Sequence, residues 1–271
     1  MSKDLRSDTY ILPTGKADQE RLKILNEVYG KYSRASFDRI GLKKGQKVAI
    51  FGCGSGECID YIHQKIGDEG KLLCIDISPE QVALTKEVLT EKGILNVEYK
   101  VADIQNVKGD ESYDLAYCRF VLSHTNQPRR GIESMLSFVK SGGFIAYDEY
   151  SANYQYCYPE IKAFEKIKEI SKRVREKLGK DNTYGEKLYH EMLNFDVEPV
   201  HFEFNMPISN SARKKELMIK SWEEIKKKGV IKEVASDEEI DGITSELKKY
   251  QNDESMFQGV GSLFQYIGKK R

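Results

Sequence analysis

The chain has 271 residues, enough for one large α/β domain or two small ones, with a sizeable core that needs no staples. Its 43 basic and 43 acidic residues cancel, so it lacks the positive excess that a phosphate backbone demands, and nucleic acid is not an expected partner. Five cysteines (Cys53, Cys58, Cys74, Cys118, Cys157) form no CxxC pair and four histidines are scattered, which predicts reduced thiols and no metal site. The start, MSKDLRSDTY, is too polar for a signal peptide, and no apolar run reaches about 18 residues, so the expectation is a soluble, cytoplasmic protein with no membrane partner.

Residues 18 to 40 carry apolar side chains at Leu22, Leu25, Val28, Tyr29 and Tyr32, close to a helical period, which predicts one or two helices. Lys47 to Phe51 is short, apolar and flanked by glycines, the pattern of a buried strand, and helical spacing resumes from Cys58 to Ile66. Strand then helix recur: Leu72 to Ser78, Pro79 to Gly93, Asn96 to Asp103, Ser112 to Arg119, Gly131 to Val139, Gly142 to Tyr150. Such alternation predicts right-handed βαβ units and a mostly parallel sheet covered on both faces.

Beyond Tyr150 the pattern changes to charged helical stretches at 159–178 and 183–193, a strand-like VEPVHFEF at 197–204, a helical region at 211–250 and a final strand in LFQYIG. These helices read as a cap over the carboxyl ends of the strands, where a substrate pocket forms. No repeat or low-complexity linker divides the chain. The expected layout is a single domain over 1–271, with an N-terminal helical lid (1–40), a ligand-binding core (41–150) and a helical cap that includes the last strands (151–271).

The strongest local signal is VAIFGCGSG, Val48 to Gly56, in which a strand enters three glycines at every second position and then a helix. Glycines let the backbone turn tightly beside a ligand, and the helix start offers free amides. The dinucleotide fingerprint GxGxxG would need a third glycine at Glu57 or Ile59, so the NAD spacing is not met. Asp76, about 20 residues on at a strand end, can accept hydrogen bonds from both hydroxyls of a ribose.

The GxGxG spacing resembles motif I of the class I S-adenosylmethionine-dependent methyltransferases, and the later segments fit the same family in order. The resemblance implies that Gly52, Cys53, Gly54 and Gly56 cradle the cofactor and that Asp76 holds its ribose. Ile77, Ala102, Asp103 and Ile104 would surround the adenine, and Arg119, Phe120 and Leu122 in YDLAYCRFVLSH would lie under the methionine part. KSGGFIAYDEY resembles the family's GG turn before strand five. The opening YILPTGKADQERL resembles that of a group of small-molecule methyltransferases, and adds Tyr10 to the cofactor site. The implied fold is Rossmann-like α/β: a mostly parallel seven-stranded sheet with helices on both faces and a helical cap. One departure stands out: members of the family carry Asp or Glu two residues before the first motif-I glycine, and this chain has Ile50, for which Glu57 or Asp60 could compensate.

In this family the cofactor is the electrophile and the protein aligns the acceptor, excludes water and, for oxygen nucleophiles, removes a proton. His124, just past the fourth strand, and Glu149 or Asp148, at the end of the fifth, are the candidate bases, against structural readings of His124 as a turn cap and of both carboxylates as solvated loop groups. Tyr10, Tyr147, Tyr150, Tyr154, Tyr156 and Tyr158 could line an apolar acceptor pocket, while Trp222 and Phe257 are expected to anchor the C-terminal helices. The expected activity is methyl transfer from S-adenosylmethionine to a small molecule, giving S-adenosylhomocysteine. The alternatives are a protein methyltransferase and a methyltransferase-like binding protein without turnover.

Overall fold

The computed structural model describes residues 16–227 and 229–271. It begins with one continuous helix, α1 (Lys16–Ile40), followed by β1 (Lys47–Phe51), α2 (Ile59–Ile66), β2 (Lys71–Asp76), α3 (Pro79–Glu91) and β3 (Val97–Val101). Then come β4 (Tyr113–Arg119), a 3-10 turn at Leu122–His124, α4 (Pro128–Phe138) and β5 (Val139–Ser151). The C-terminal part holds β6 (Tyr156–Tyr158), α5 (Lys162–Lys177), α6 (Tyr184–Met192) and β7 (Val197–Asn205). It continues with α7 (Ala212–Lys226), α8 (Asp237–Gln251), β8 (Phe257–Gly259) and β9 (Ser262–Lys270).

Among the described residues seven strands form one sheet in the order β3-β2-β1-β4-β5-β9-β7. The first five pair in parallel, and β9 lies antiparallel between β5 and β7. Because β1 has β2 on one side and β4 on the other, the strand order reverses there, and a crevice opens beyond the carboxyl ends. Period-two alternation sends Val48 and Ile50 into a core with α2 and α3, and Ala49 and Phe51 into a second core with α4 and α6. Both faces are therefore covered, which is why β1 is continuously apolar rather than alternating.

A third core joins α1, through Ile24, Val28 and Tyr29, to α5, α7 and α8. Two of these helices begin on sequence-coded caps: Ser211 Oγ accepts from Lys214 N on α7, and Ser236 Oγ accepts from Glu239 N on α8. α8 also opens on Asp237, Glu238 and Glu239 and closes on Lys248 and Lys249, matching its dipole. The helical cap expected from the sequence is thus present, but 211–250 is two helices. The helix expected from Gly131 starts at Pro128, whose missing N–H costs nothing at a first turn. A two-stranded sheet, β6 with β8, was not expected; its strands have three residues each, too few to show a period.

Candidate active site

Gly52, Gly54 and Gly56 have φ of 67°, 55° and 80°, a region that glycine enters without strain. A Cβ on Gly52 would also run into the Val121 side chain. The turn is tied to β2, where Gly52 N and Cys53 N donate to the Ile75 carbonyl at 2.8 and 3.2 Å, and to α3, where Thr85 Oγ1 donates to Gly54 O at 2.6 Å. Asp76 closes the other side, accepting Gly54 N on one oxygen at 3.2 Å and Ser78 N on the other at 3.0 Å. Each oxygen keeps acceptor capacity. Burial raises this carboxyl above its ordinary value, so two further donors would relieve it.

These segments open onto a cavity of about 440 Å³, within the range of about 300–1,000 Å³ usual for small-ligand sites. Gly52 and Gly54 from the glycine turn, Asp76 and Ile77 at the end of β2, Ala102 to Ile104 just after β3, and Arg119 and Phe120 at the end of β4 all line it. Asp103 is braced by Gln105 N at 2.9 Å and Asn106 Nδ2 at 3.0 Å. Cys53 and Gly56 stand behind the wall: the Cys53 thiol meets Thr85 Oγ1 at 3.4 Å, and Gly56 backs onto Leu89 and Thr85. Leu122 turns into the core beneath the sheet. Tyr10 lies outside the described residues.

The segment after β4 is held in an unusual shape. Phe120 has φ of 56°, a left-handed value that costs a bulky residue about 1–3 kcal/mol. Its ring sits edge-on between Tyr29 and Tyr150, with centroids 5.0 and 6.1 Å away. The next three amides, of Val121, Leu122 and Ser123, donate to the Glu149 carboxylate at 2.7, 2.9 and 3.2 Å. Glu149 is fully buried and forms no part of the cavity wall. Burial pushes its pKa up to about 7 although the three amides pull the other way.

Neither carboxylate at the end of β5 is a solvated loop group. Asp148, on the opposite face of the strand, accepts from Ser33 Oγ and Tyr117 Oη at 2.6 Å and from Gln265 Nε2 at 2.8 Å, joining α1, β4 and β9. The physical reason is that β5 is still between covered faces at these positions, so the pleat delivers both acids into packed interiors. Glu149 consequently shapes the loop that lines the cavity and does not face a substrate.

His124 does line the cavity. Burial, then the charges of Arg175, Arg21 and Lys180, hold its imidazole well below the usual histidine value, so it is neutral at pH 7. Among the tyrosines expected in a pocket, Tyr150 lines the cavity, Tyr147 is in the core under the sheet, and Tyr154 and Tyr158 are exposed. Tyr156 packs against Phe257. Trp222 anchors α7 to α8 through Nε1–H to Thr244 Oγ1 at 3.2 Å, and it also reaches the cavity.

Sequence reasoning missed the opposite wall. α1 supplies Arg21, Leu25 and Tyr29 at helical spacing, and α5 supplies Ser171 and Arg175. The available signal was a polar residue interrupting an apolar face, as Arg21 does before Leu25 and Tyr29. Arg21 is buried with Asp18 as a bidentate pair at 2.6 Å on both bonds.

At Ile50 the structure packs an apolar side chain against α2. Glu57 instead stands by a smaller recess of about 60 Å³ that also touches Gly54 and Arg119. It accepts from Ser55 Oγ at 3.1 Å, and burial raises its carboxyl. Asp60 is committed to Lys92 at 3.0 Å and to Tyr61 N. Between the two candidates, Glu57 is the one beside the glycine turn.

Strand order, glycine turn and motif order resemble those of the class I, Rossmann-like S-adenosylmethionine-dependent methyltransferases. Residues 48–143 match the family described as a methyltransferase domain. The ubiquinone/menaquinone biosynthesis C-methyltransferase UbiE of Idiomarina loihiensis is 25% identical over 151 residues, 55% of this chain and 60% of that protein. UbiE of Yersinia enterocolitica is 26% identical over 126 residues, 46% and 50% of the two chains. The alignment thus spans about half the length of these curated relatives. The geranyl diphosphate C-methyltransferase of Streptomyces coelicolor, solved with Mg2+, geranyl diphosphate and S-adenosylhomocysteine, superposes with a TM-score of 0.53 at 14% identity, covering 98% of this chain and 89% of that one. This last likeness is one of fold. No helix among the described residues is long and apolar enough to cross a membrane.

Proposed function

We propose that the protein transfers a methyl group from S-adenosylmethionine to a small molecule. The observation that carries this reading is convergence: motif residues spread from Gly52 to Phe120 line the same cavity as the cap helices. When bound, the cofactor supplies a sulfonium methyl that an acceptor attacks in line as the carbon–sulfur bond breaks. Asp76 has the acceptor capacity for two ribose hydroxyls, Ile77, Asp103 and Ile104 form the adenine edge, and Glu57 and Arg119 offer opposite charges to an amino-acid end. Tyr29, Phe120, Tyr150 and Trp222 supply an apolar wall that excludes water and orients the acceptor.

His124 is neutral and can take a proton from the acceptor, but its depressed basicity suits a carbon or nitrogen nucleophile that is already activated better than an alcohol. Glu149 is a positioning residue: it fixes the turn that presents Phe120, Val121 and His124. Five free cysteines, four of them buried, support a reducing compartment such as the cytoplasm. We read the chain as one domain, because α1 and the cap helices close the same cavity as the sheet.

The test is calorimetric titration with S-adenosylmethionine and S-adenosylhomocysteine, repeated with Asp76→Ala. Binding of about micromolar strength that weakens in the variant is the expected outcome. No detectable binding of either ligand by the folded wild-type protein refutes the reading.

A further inference from the structure

The charges in the cavity wall are divided by origin. Those of the motif segments are mixed, the carboxylates Asp76 and Asp103 with the cation Arg119, whereas the charged groups from the cap and α1 are Arg21, Arg175 and Lys180, all basic. Arg21 is matched by Asp18. Lys180 is not matched in this way: it is only 6% exposed, its ammonium donates to the neutral Asn126 Oδ1, and among the described residues no carboxylate lies within ion-pair distance. Asp103 acts on it at longer range and spends its own oxygens on Gln105 and Asn106.

Burying an ammonium without a counter-ion is costly: burial lowers the Lys180 pKa, and an opposite charge arriving beside it would relieve that cost. Arg175 and His124 share the same wall, and the cations act on the His124 ring from three residues. Beside them lies the aromatic and aliphatic surface of Tyr29, Phe120 and Trp222. The polar end and the apolar end of the cavity therefore call for a ligand with two ends.

We propose that the methyl acceptor is an anion, a carboxylate or phosphate monoester on an apolar or aromatic body, whose charged group is held by Lys180. This rests on the methyltransferase reading of the same cavity and adds the acceptor's class to it. The anionic group lies away from the methylated atom, so it serves as a handle: binding energy gained there orients the reacting end.

The experiment uses protein saturated with S-adenosylhomocysteine, which separates the two readings: failure to bind that ligand refutes the methyltransferase assignment, whereas the acceptor probes bear only on the anionic handle. Phenyl phosphate and benzoate are titrated against their neutral counterparts phenol and benzamide. The expected result is a preference of about tenfold or more for at least one anion over its neutral partner, lost in Lys180→Gln and retained in Lys180→Arg. Binding of S-adenosylhomocysteine by each variant reports that it is folded. Phosphate and carboxylate are told apart by which pair shows the preference. Equal binding within both pairs, no binding by either anion at about 10 mM, a probe strength well above ordinary KM values, or a preference unchanged in Lys180→Gln overturns the proposal.

Discussion

Glu149→Gln removes a titration from the interior while keeping the side chain's shape, and the structure sets the size of the effect. The glutamate pKa is about 7 in the fold against 4.5 for the ordinary value, raised by burial. Because the folded value is the higher one, the native state holds the proton more tightly between these values. The resulting stability is fully present below pH 4.5 and is lost as pH rises through about 7. Evaluated for this single group, the loss between pH 5 and pH 8 is about 2–3 kcal/mol. Glutamine does not titrate, so the difference in unfolding free energy between wild type and Glu149→Gln should fall by about that amount across the window, with all other groups cancelling. Urea unfolding at pH 5, 6, 7 and 8 measures it. A difference that stays flat, or rises with pH, would sink the reasoning, because it would mean that the amides of Val121, Leu122 and Ser123 outweigh desolvation and keep the buried carboxylate ionised.

Asp76→Ala should weaken S-adenosylhomocysteine binding about 10- to 150-fold, the worth of charge-assisted hydrogen bonds of about 1.5–3 kcal/mol, as read by calorimetry. Phe120→Gly and Phe120→Ala both lose the ring between Tyr29 and Tyr150. The glycine variant should nevertheless be the more stable by about 1 kcal/mol, since φ of 56° strains alanine and not glycine; urea midpoints that rank alanine first contradict the assigned backbone. Gly52→Ala combines a positive φ with a collision against Val121, and a drop in cofactor affinity of about tenfold or more is expected by titration. Unchanged affinity would show that the turn does not approach the ligand.

The sheet was legible because parallel strands buried on both faces leave short apolar runs such as Val48 to Phe51, and because glycine and aspartate at their ends mark the turns. The cavity wall built from the motif segments was legible for the same reason: its residues sit at fixed offsets from strand ends. The opposite wall was not, since α1, α5 and α7 come together only in three dimensions and Lys180 sits in a connection that carries no periodic signal. Glu149 shows a different limit of pattern reading. An acid at a strand end looks like a substrate-facing group until the loop that wraps around its oxygens is known.

The position of β9 sets an order on biosynthesis. Among the described strands it comes last in chain order, yet it lies between β5 and β7 and carries Gln265, one of the three side-chain donors to Asp148. At about 5–20 residues per second, the interval between completing Asn205 and completing Lys270 is on the order of 3–13 s. Throughout that interval the edges of β5 and β7 that face β9 are unpaired, and Asp148 lacks the Gln265 donor. The emerging chain is most open to mispairing during those seconds, and a ribosome that stalls between these points holds a sheet without the strand that joins β5 to β7.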